Sequence, residues 1–215
     1  MSKTFLWFAA LALSALALAG CLNLKRVADP TRFYVLSAVP AGTSDTVGSH
    51  GDLALGLGRV DIPAYLLDRR IALRQGANEI NYSEYHRWAE RLDIGLQRVL
   101  GANLSSQLSS DRVVLSAWQR GEVRAEVYVS VQRFECDERG RVVLEARWRI
   151  ASPGGEKTLH ASHSHITRQG PVLRDDPEGA VGELSQAVAE LSRQITATVQ
   201  SVSTSPSVSK PERSP

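Results

Sequence analysis

Three histidines in one short segment are the residues best suited to bind a metal ion. His160, His163 and His165 lie within a single six-residue stretch, and neutral imidazole is a common zinc ligand. In an extended strand successive side chains point to opposite faces, so His163 and His165 share one face and His160 lies on the other. Because zinc takes three or four ligands, a distant residue would have to complete the site. We therefore interpret the histidines as a solvated strand face, with metal binding as the alternative.

Nucleophilic and phosphate-binding chemistry also lack a convincing motif. Cys136 has Glu135 and Asp137 as neighbours, and adjacent negative charge should raise the pKa of its thiol and lower the fraction of thiolate. The sequence contains neither a G-x-S-x-G elbow nor a Walker motif, and Gly56 and Gly58 lie in a predicted strand, where we expect close packing or flexibility. We therefore predict that the protein is not an enzyme and needs no cofactor.

Cys21 is the residue whose surroundings indicate a defined chemical modification. Lys3 precedes an uncharged apolar run over residues 5–17, typical of a secretory signal and about half the roughly 20 residues that a transmembrane helix needs. The sequence Leu-Ala-Gly-Cys then occupies residues 18–21 and resembles the lipobox of bacterial lipoprotein signals. This resemblance implies cleavage between Gly20 and Cys21 and a covalent lipid on Cys21.

The implied lipid would fix the protein at a membrane. In such lipoproteins the thiol carries a diacylglycerol and the new amine is often acylated, and each buried CH₂ contributes about 0.8 kcal/mol. Leu22 follows the cysteine, whereas lipoproteins kept at the inner membrane usually resemble a pattern with Asp there. We therefore predict an outer-membrane lipoprotein that faces the periplasm. An ordinary signal peptide with a chance cysteine is the alternative.

Charge and cysteine content narrow the class of partner. The chain has 25 Lys and Arg against 23 Asp and Glu, with both signs interspersed, so it lacks the basic face that nucleic-acid binding requires. We expect no nucleic-acid partner. With Cys21 lipidated, Cys136 is the one remaining thiol, and stability must come from a hydrophobic core rather than from a disulfide.

The elements that position these residues begin with an antiparallel meander. Alternation of apolar and polar residues predicts three strands, at residues 125–132, 142–150 and 157–168. Phe134 is out of phase with the first strand, so we predict a bulge near Arg133. Gly140 suits the positive φ of the first turn. Earlier strands are predicted at residues 32–38, 53–62, 71–74 and 80–82.

Two helices complete the predicted fold. Leucine and valine recur at three- and four-residue steps over residues 92–108, although Gly95 and Gly101 weaken that pattern. The C-terminal helix has Asp176 as a cap, Pro177 in its first turn and an apolar face that ends at Val202. The sequence thus predicts an α+β fold, a mainly antiparallel sheet with two longer helices packed on one face.

Three segments carry a resemblance to a known family. They are Phe-Tyr-Val-Leu-Ser at residues 33–37, Val-Asp-Ile-Pro-Ala-Tyr-Leu-Leu-Asp-Arg at residues 60–69, and Trp-Ala-Glu-Arg-Leu at residues 88–92. Their order and spacing resemble the ABC-type transport auxiliary lipoprotein family, which includes the outer-membrane lipoprotein of the Pqi intermembrane transport system. The resemblance implies a role in lipid transport between membranes, beside an ABC ATPase, a permease and a periplasm-spanning MCE-domain protein. It permits a homo-oligomer.

The domain organisation follows from these patterns. We predict a signal peptide at residues 1–20, a lipid anchor and tether at residues 21–31, the family domain at residues 32–202 and a disordered tail at residues 203–215. Residues 40–52 are predicted to form a loop. The alternative function is a structural or regulatory outer-membrane lipoprotein that binds cell-wall synthases or a secretion pore.

The segments at residues 63–68 and 85–91 are the candidate partner-binding surface. They contain side chains of the aromatic and aliphatic types that anchor interfaces, namely Tyr65, Leu66, Tyr85 and Trp88. Core packing is the competing interpretation of each segment.

Overall fold

A computed structural model of the protein describes residues 28–39, 54–110 and 112–204. The described residues from Thr31 onward form one compact unit. In the described residues its strands and helices follow in the order β1 Arg32–Tyr34, β2 Leu55–Asp61, β3 Arg70–Gln75, β4 Glu79–Trp88, α1 Leu92–Leu108, β5 Val113–Leu115, β6 Ala125–Asp137, β7 Arg141–Ala151, β8 Thr158–Gln169 and α2 Pro177–Thr204. A single 3₁₀ turn, Ala64–Leu67, lies between β2 and β3. None of the helices described here is long and apolar enough to span a membrane.

The long strand β6 organises the sheet. One edge of β6 pairs with β7 along its whole length, and β7 pairs with β8, both antiparallel. The other edge pairs in parallel with β2 near its start and with β3 near its end. From Asp61 to Leu73 the chain advances twelve residues while β6 advances six, from Ser130 to Cys136. The extra residues leave the sheet as a loop, residues 62–69, which we call the insertion.

The meander forms as the alternation predicts. Strands β6, β7 and β8 are consecutive and antiparallel, and their register shifts between Val131 and Arg133, where a bulge was expected. Gly140 adopts a φ of 77° in the first turn. A Cβ atom there would also lie 2.3 Å from the carbonyl oxygen of Gly170, so both conformation and space favour glycine at this position.

Both predicted helices are present and cover one face of the sheet. Helix α1 packs on β2 and β5, α2 packs on β6, β7 and β8, and the two helices contact each other. The backbone N–H of Gly179 donates to Asp176 Oδ1 at 2.9 Å, which is the predicted cap. The apolar stripe of α2 lies in the core, at Val181, Leu184, Val188, Leu191, Ile195 and Val199. The α+β class with two helices on one face is therefore confirmed.

The structure differs from the expectation in the pairing of the earlier strands. The sheet is mixed, because β1, β2 and β3 all make parallel pairs, and β5 was not predicted. Strand β1 stops at Tyr34, while β4 extends far beyond residues 80–82 to Trp88. Parallel partners are distant in sequence and need no turn between them, so local patterns do not reveal them.

Several predicted features lie partly or wholly outside the residues that the structure describes. Gly20, Cys21, the signal peptide and the whole predicted loop at residues 40–52 lie outside the described residues, as does most of the predicted tail. Helix α2 continues to Thr204, two residues beyond the end predicted at Val202.

Candidate partner-binding surface

The insertion is a short turn that directs successive side chains to opposite sides. The backbone N–H of Leu66 donates to the carbonyl oxygen of Pro63 at 3.0 Å, which closes the 3₁₀ turn. Leu66 is buried in the hydrophobic core. Tyr65 is half-buried, and its hydroxyl donates to Glu135 Oε2 at 2.6 Å. The turn is thus attached to the sheet by an apolar side chain and by a hydrogen bond.

Glu135 is the centre of a buried polar cluster beneath the insertion. It is 1% exposed, and its Oε1 accepts from Arg74 Nε at 2.6 Å and from Arg133 Nε at 2.9 Å. Burial alone would raise the pKa of Glu135, but hydrogen bonds from Arg74, Tyr65 and Arg133 outweigh it and lower the pKa. The carboxylate therefore stays charged and paired. We call Tyr65, Arg74, Arg133 and Glu135 the Glu135 cluster.

The phenol of Tyr65 remains a hydrogen-bond donor at neutral pH. Burial, followed by the hydrogen bond to Glu135 and its negative charge, raises the pKa of Tyr65. A second tyrosine holds the insertion from the other side, since the Tyr82 hydroxyl donates to the carbonyl oxygen of Tyr65 at 2.9 Å. The guanidinium of Arg70 lies 4.6 Å from the centre of the Tyr82 ring.

The end of the insertion is fixed by an ion pair. Arg70 Nη2 lies 2.7 Å from Asp68 Oδ2, and the backbone N–H of Arg70 also donates to Asp68. These bonds from Arg70 lower the pKa of Asp68 to about 2. Together with the Glu135 cluster, they define the path of the insertion on both sides of Tyr65.

The structure separates the four predicted partner-binding residues. Leu66 and Trp88 lie in the core, not on the predicted surface. Trp88 is at the end of β4 and its ring stacks against Phe134, so it supports the sheet from the helix side. Tyr85 is 42% exposed and Tyr65 is partly accessible. Of the four predicted partner-binding residues, only Tyr65 and Tyr85 are therefore accessible to a partner.

Sequence patterns missed an exposed apolar residue at the sheet edge. Phe33 on β1 is 60% exposed and lies opposite Arg87 on β4. Tyr85 lies two residues before Arg87 on β4, so Phe33 and Tyr85 lie close together along this edge of the sheet. We call Phe33 and Tyr85 the edge patch. Phe33 falls within a segment predicted as an ordinary strand, and no local pattern marks it as exposed.

The face of the sheet opposite the helices has two halves, one around Glu135 and one around a second buried glutamate, Glu126, near the start of β6. Glu126 is 2% exposed and accepts from the Trp118 indole at 2.9 Å, the Tyr128 hydroxyl at 2.7 Å and the backbone N–H of Gly154 at 2.8 Å. Burial would raise its pKa, but the bonds from Tyr128, Trp118 and Gly154 lower it on balance. In the alternation of β6, Glu126 occupies a polar position, which normally faces solvent.

Glycines of β2 make room for the aromatic rings that cover this half. A Cβ atom on Gly56 would lie 2.9 Å from the Trp118 ring, and one on Gly58 would lie 2.9 Å from the Tyr128 ring. Close packing therefore explains both glycines, and it agrees with the interpretation of Gly56 and Gly58 as strand residues.

His160, His165 and Cys136 contact neighbouring residues of the sheet or are buried in it. His165 lies opposite Glu145 and contacts its carboxylate at 3.0 Å, while the ring of His160 packs on Trp148. Within residues 28–39, 54–110 and 112–204, no group of three or more His, Cys, Asp or Glu is placed to hold a metal ion. Burial, with the charges of Asp137 and Glu135 adding to it, raises the pKa of the Cys136 thiol to about 12.

Comparison with known proteins gives consistent results. Residues 34–196 match the family model described as the ABC-type transport auxiliary lipoprotein component. The Intermembrane transport lipoprotein PqiC of Escherichia coli strain K12 is 28% identical over 142 residues, which cover 66% of this chain and 73% of that protein.

Two solved structures share the fold. A protein from Xanthomonas campestris superposes with a TM-score of 0.68 at 12% identity, covering 80% of this chain and 97% of its own. An uncharacterised protein superposes with a TM-score of 0.64 at 22% identity, covering 79% and 98% respectively. At these identities the likeness concerns the fold.

Proposed function

The chain belongs to the ABC-type transport auxiliary lipoprotein family, and from this premise we propose that it is the lipid-anchored periplasmic component of an MCE-type intermembrane lipid transport system. In this role it docks the periplasm-spanning MCE-domain protein to the outer membrane. The lipid on Cys21 supplies the location and the folded domain supplies the contact. A homo-oligomer is compatible with this role.

The observation that carries the proposal is the extent of the family match. Residues 34–196 include every described strand from β2 to β8, helix α1 and most of helix α2, so the match covers nearly the whole sheet, apart from the first two residues of β1, and not one motif. The family is described as a transport auxiliary component rather than as an enzyme, which is consistent with a role in binding.

The edge patch is the part of the surface best suited to partner binding. Phe33 and Tyr85 are exposed, and aromatic residues are the usual anchors of protein interfaces. β1 directly follows the predicted tether, so the patch lies near the anchored end of the domain in sequence. The Glu135 cluster holds the neighbouring insertion in one conformation, which reduces the ordering cost of binding.

Affinity capture from cross-linked cells tests the proposal. The full-length lipoprotein is compared with Cys21→Ala, which removes the predicted lipid attachment, and partners are identified by mass spectrometry. We expect the wild-type protein to recover an MCE-domain protein, and the Cys21→Ala variant to recover much less because it is not held at the membrane.

Surface variants locate the contact on the domain. The double variant Phe33→Ser/Tyr85→Ser should reduce recovery of the MCE-domain protein by about tenfold, the loss expected when interface anchors worth about 1.4 kcal/mol are removed. Leu159→Ser is the matched control, because Leu159 is also an exposed apolar residue but lies on β8. Recovery of cell-wall synthases or a secretion pore, with no MCE-domain protein in any sample, would contradict the proposal.

A further inference from the structure

A depression lies on the face of the sheet opposite the helices, across β2, β6, β7 and β8. Its volume is about 680 Å³. The strand register places Asp61, Ser130, Arg147 and His163 in one row across the four strands. The adjacent row contains Tyr128, Arg149 and Ala161. Because Ser130 and Ala161 have small side chains, the centre of the depression stays open between larger neighbours.

The lining of the depression is cationic. Three guanidinium groups line it, those of Arg59, Arg147 and Arg149, against one carboxylate, that of Asp61. Among the residues that the structure describes, neither Arg59 nor Arg147 has a carboxylate within salt-bridge distance, and both side chains are exposed. Their charge is therefore available to a ligand.

The third guanidinium is held in place by an aromatic ring. Arg149 lies 4.0 Å from the centre of the Tyr128 ring, a distance at which cation–π attraction restrains an arginine. Tyr128 is itself fixed, because its hydroxyl donates to buried Glu126 and its ring packs against Gly58. The cation is thus presented at the rim before any ligand binds, which lowers the cost of binding.

We propose that this depression, with Arg59, Arg147 and Arg149 around Ser130 and Ala161, binds a phosphate group. The planar guanidinium fork matches phosphate oxygens in a bidentate way. The exposed Arg59 and Arg147 come from β2 and β7, the two strands that flank β6, so they can approach one phosphate from two sides. A phospholipid headgroup and free phosphate both supply this chemistry. The volume lies within the usual range of small-ligand pockets and exceeds what a phosphate ion alone fills, which favours an organic phosphate.

Calorimetric titration of the full-length lipoprotein in lauryl maltoside tests this site. The ligands are dihexanoyl phosphatidylglycerol, inorganic phosphate, uncharged dihexanoylglycerol and a tetraglutamate peptide. We expect Arg59→Gln/Arg147→Gln to weaken binding of the phosphatidylglycerol at least tenfold, since each arginine contributes charge-assisted hydrogen bonds. Arg174→Gln is the matched control, because Arg174 is an exposed arginine in the loop before α2 and its loss should leave the affinity unchanged.

The ligands and variants answer two separate questions: whether the site exists, and which source supplies the phosphate. Binding of phosphatidylglycerol alone assigns the site to a lipid headgroup, and equal binding of inorganic phosphate assigns it to the free anion. The inference is overturned if no phosphate ligand binds, if dihexanoylglycerol binds as tightly, if tetraglutamate binds more tightly, or if the double variant keeps the wild-type affinity while circular dichroism shows it folded. None of these results depends on capture of an MCE-domain protein.

Discussion

The two halves of the sheet face opposite the helices each bury one glutamate of β6, but they neutralise it differently. Glu135 is bonded by two guanidinium groups and a phenol. Glu126 is bonded by an indole, a phenol and a backbone amide, all uncharged. In the half around Glu135, Arg74 and Arg133 pair with the buried carboxylate, whereas in the half around Glu126 the arginines Arg59 and Arg147 stay exposed. The same buried residue type therefore gives a fixed structural cluster in one half and a cationic depression in the other.

The largest expected effect comes from removing the charge of Glu135. Glu135→Gln leaves Arg74 and Arg133 facing a neutral amide in a largely buried position, and breaking a buried ion pair costs about 3 kcal/mol. We expect a decrease of this size in the free energy of unfolding, measured by urea denaturation. A decrease below about 0.5 kcal/mol, the range of ordinary surface substitutions, would show that the Glu135 cluster does not fix the insertion.

The matched substitution in the other half should cost less. In Glu126→Gln the amide oxygen can still accept from Trp118 and Gly154, which both donate to Oε1. The amide nitrogen replaces Oε2, so the Tyr128 hydroxyl must turn and accept instead of donating. The loss is that of weaker, rearranged hydrogen bonds, about 1 kcal/mol. The same urea measurement provides the comparison with Glu135→Gln. Equal losses for both variants would remove the distinction between the two halves.

Stability measured at alkaline pH tests the contribution of Tyr65 to the Glu135 half. Its pKa is raised in the folded protein above the ordinary value of 10.0, so the stabilisation that it supplies is fully present below pH 10 and is lost as the pH rises toward the folded pKa. We expect the urea midpoint of the wild-type protein to fall above about pH 10, and to fall less steeply in Tyr65→Phe. Identical slopes would indicate that the Tyr65 phenol contributes no proton linkage.

Local patterns in the sequence were sufficient for the meander and for α2. The alternation around Val127 and Val129, the bulge before Phe134 and the Asp176 cap all depend on residues close together in the chain, and the structure confirms each of them. The same information gives the α+β class, because helices and strands are separated along the chain.

The buried glutamates could not be predicted in this way. Glu126 and Glu135 stand among polar positions of β6 that usually face solvent. They are buried because Trp118 and the Tyr65 segment, which come from other parts of the chain, cover them. The parallel pairing of β2 and β3 with β6 is likewise a long-range contact. For the same reason, the burial of Leu66 and Trp88 and the exposure of Phe33 became evident only in the folded chain.

Photo-cross-linking in living cells tests the docking role most directly. A photo-reactive amino acid is placed at Tyr85 in the edge patch or, as a control, at Leu159 on β8, and adducts are identified by mass spectrometry. We expect an adduct with an MCE-domain protein from position 85 and none from position 159. Adducts of position 85 with cell-wall synthases or a secretion pore alone, or an MCE-domain adduct from position 159 alone, would contradict the docking role.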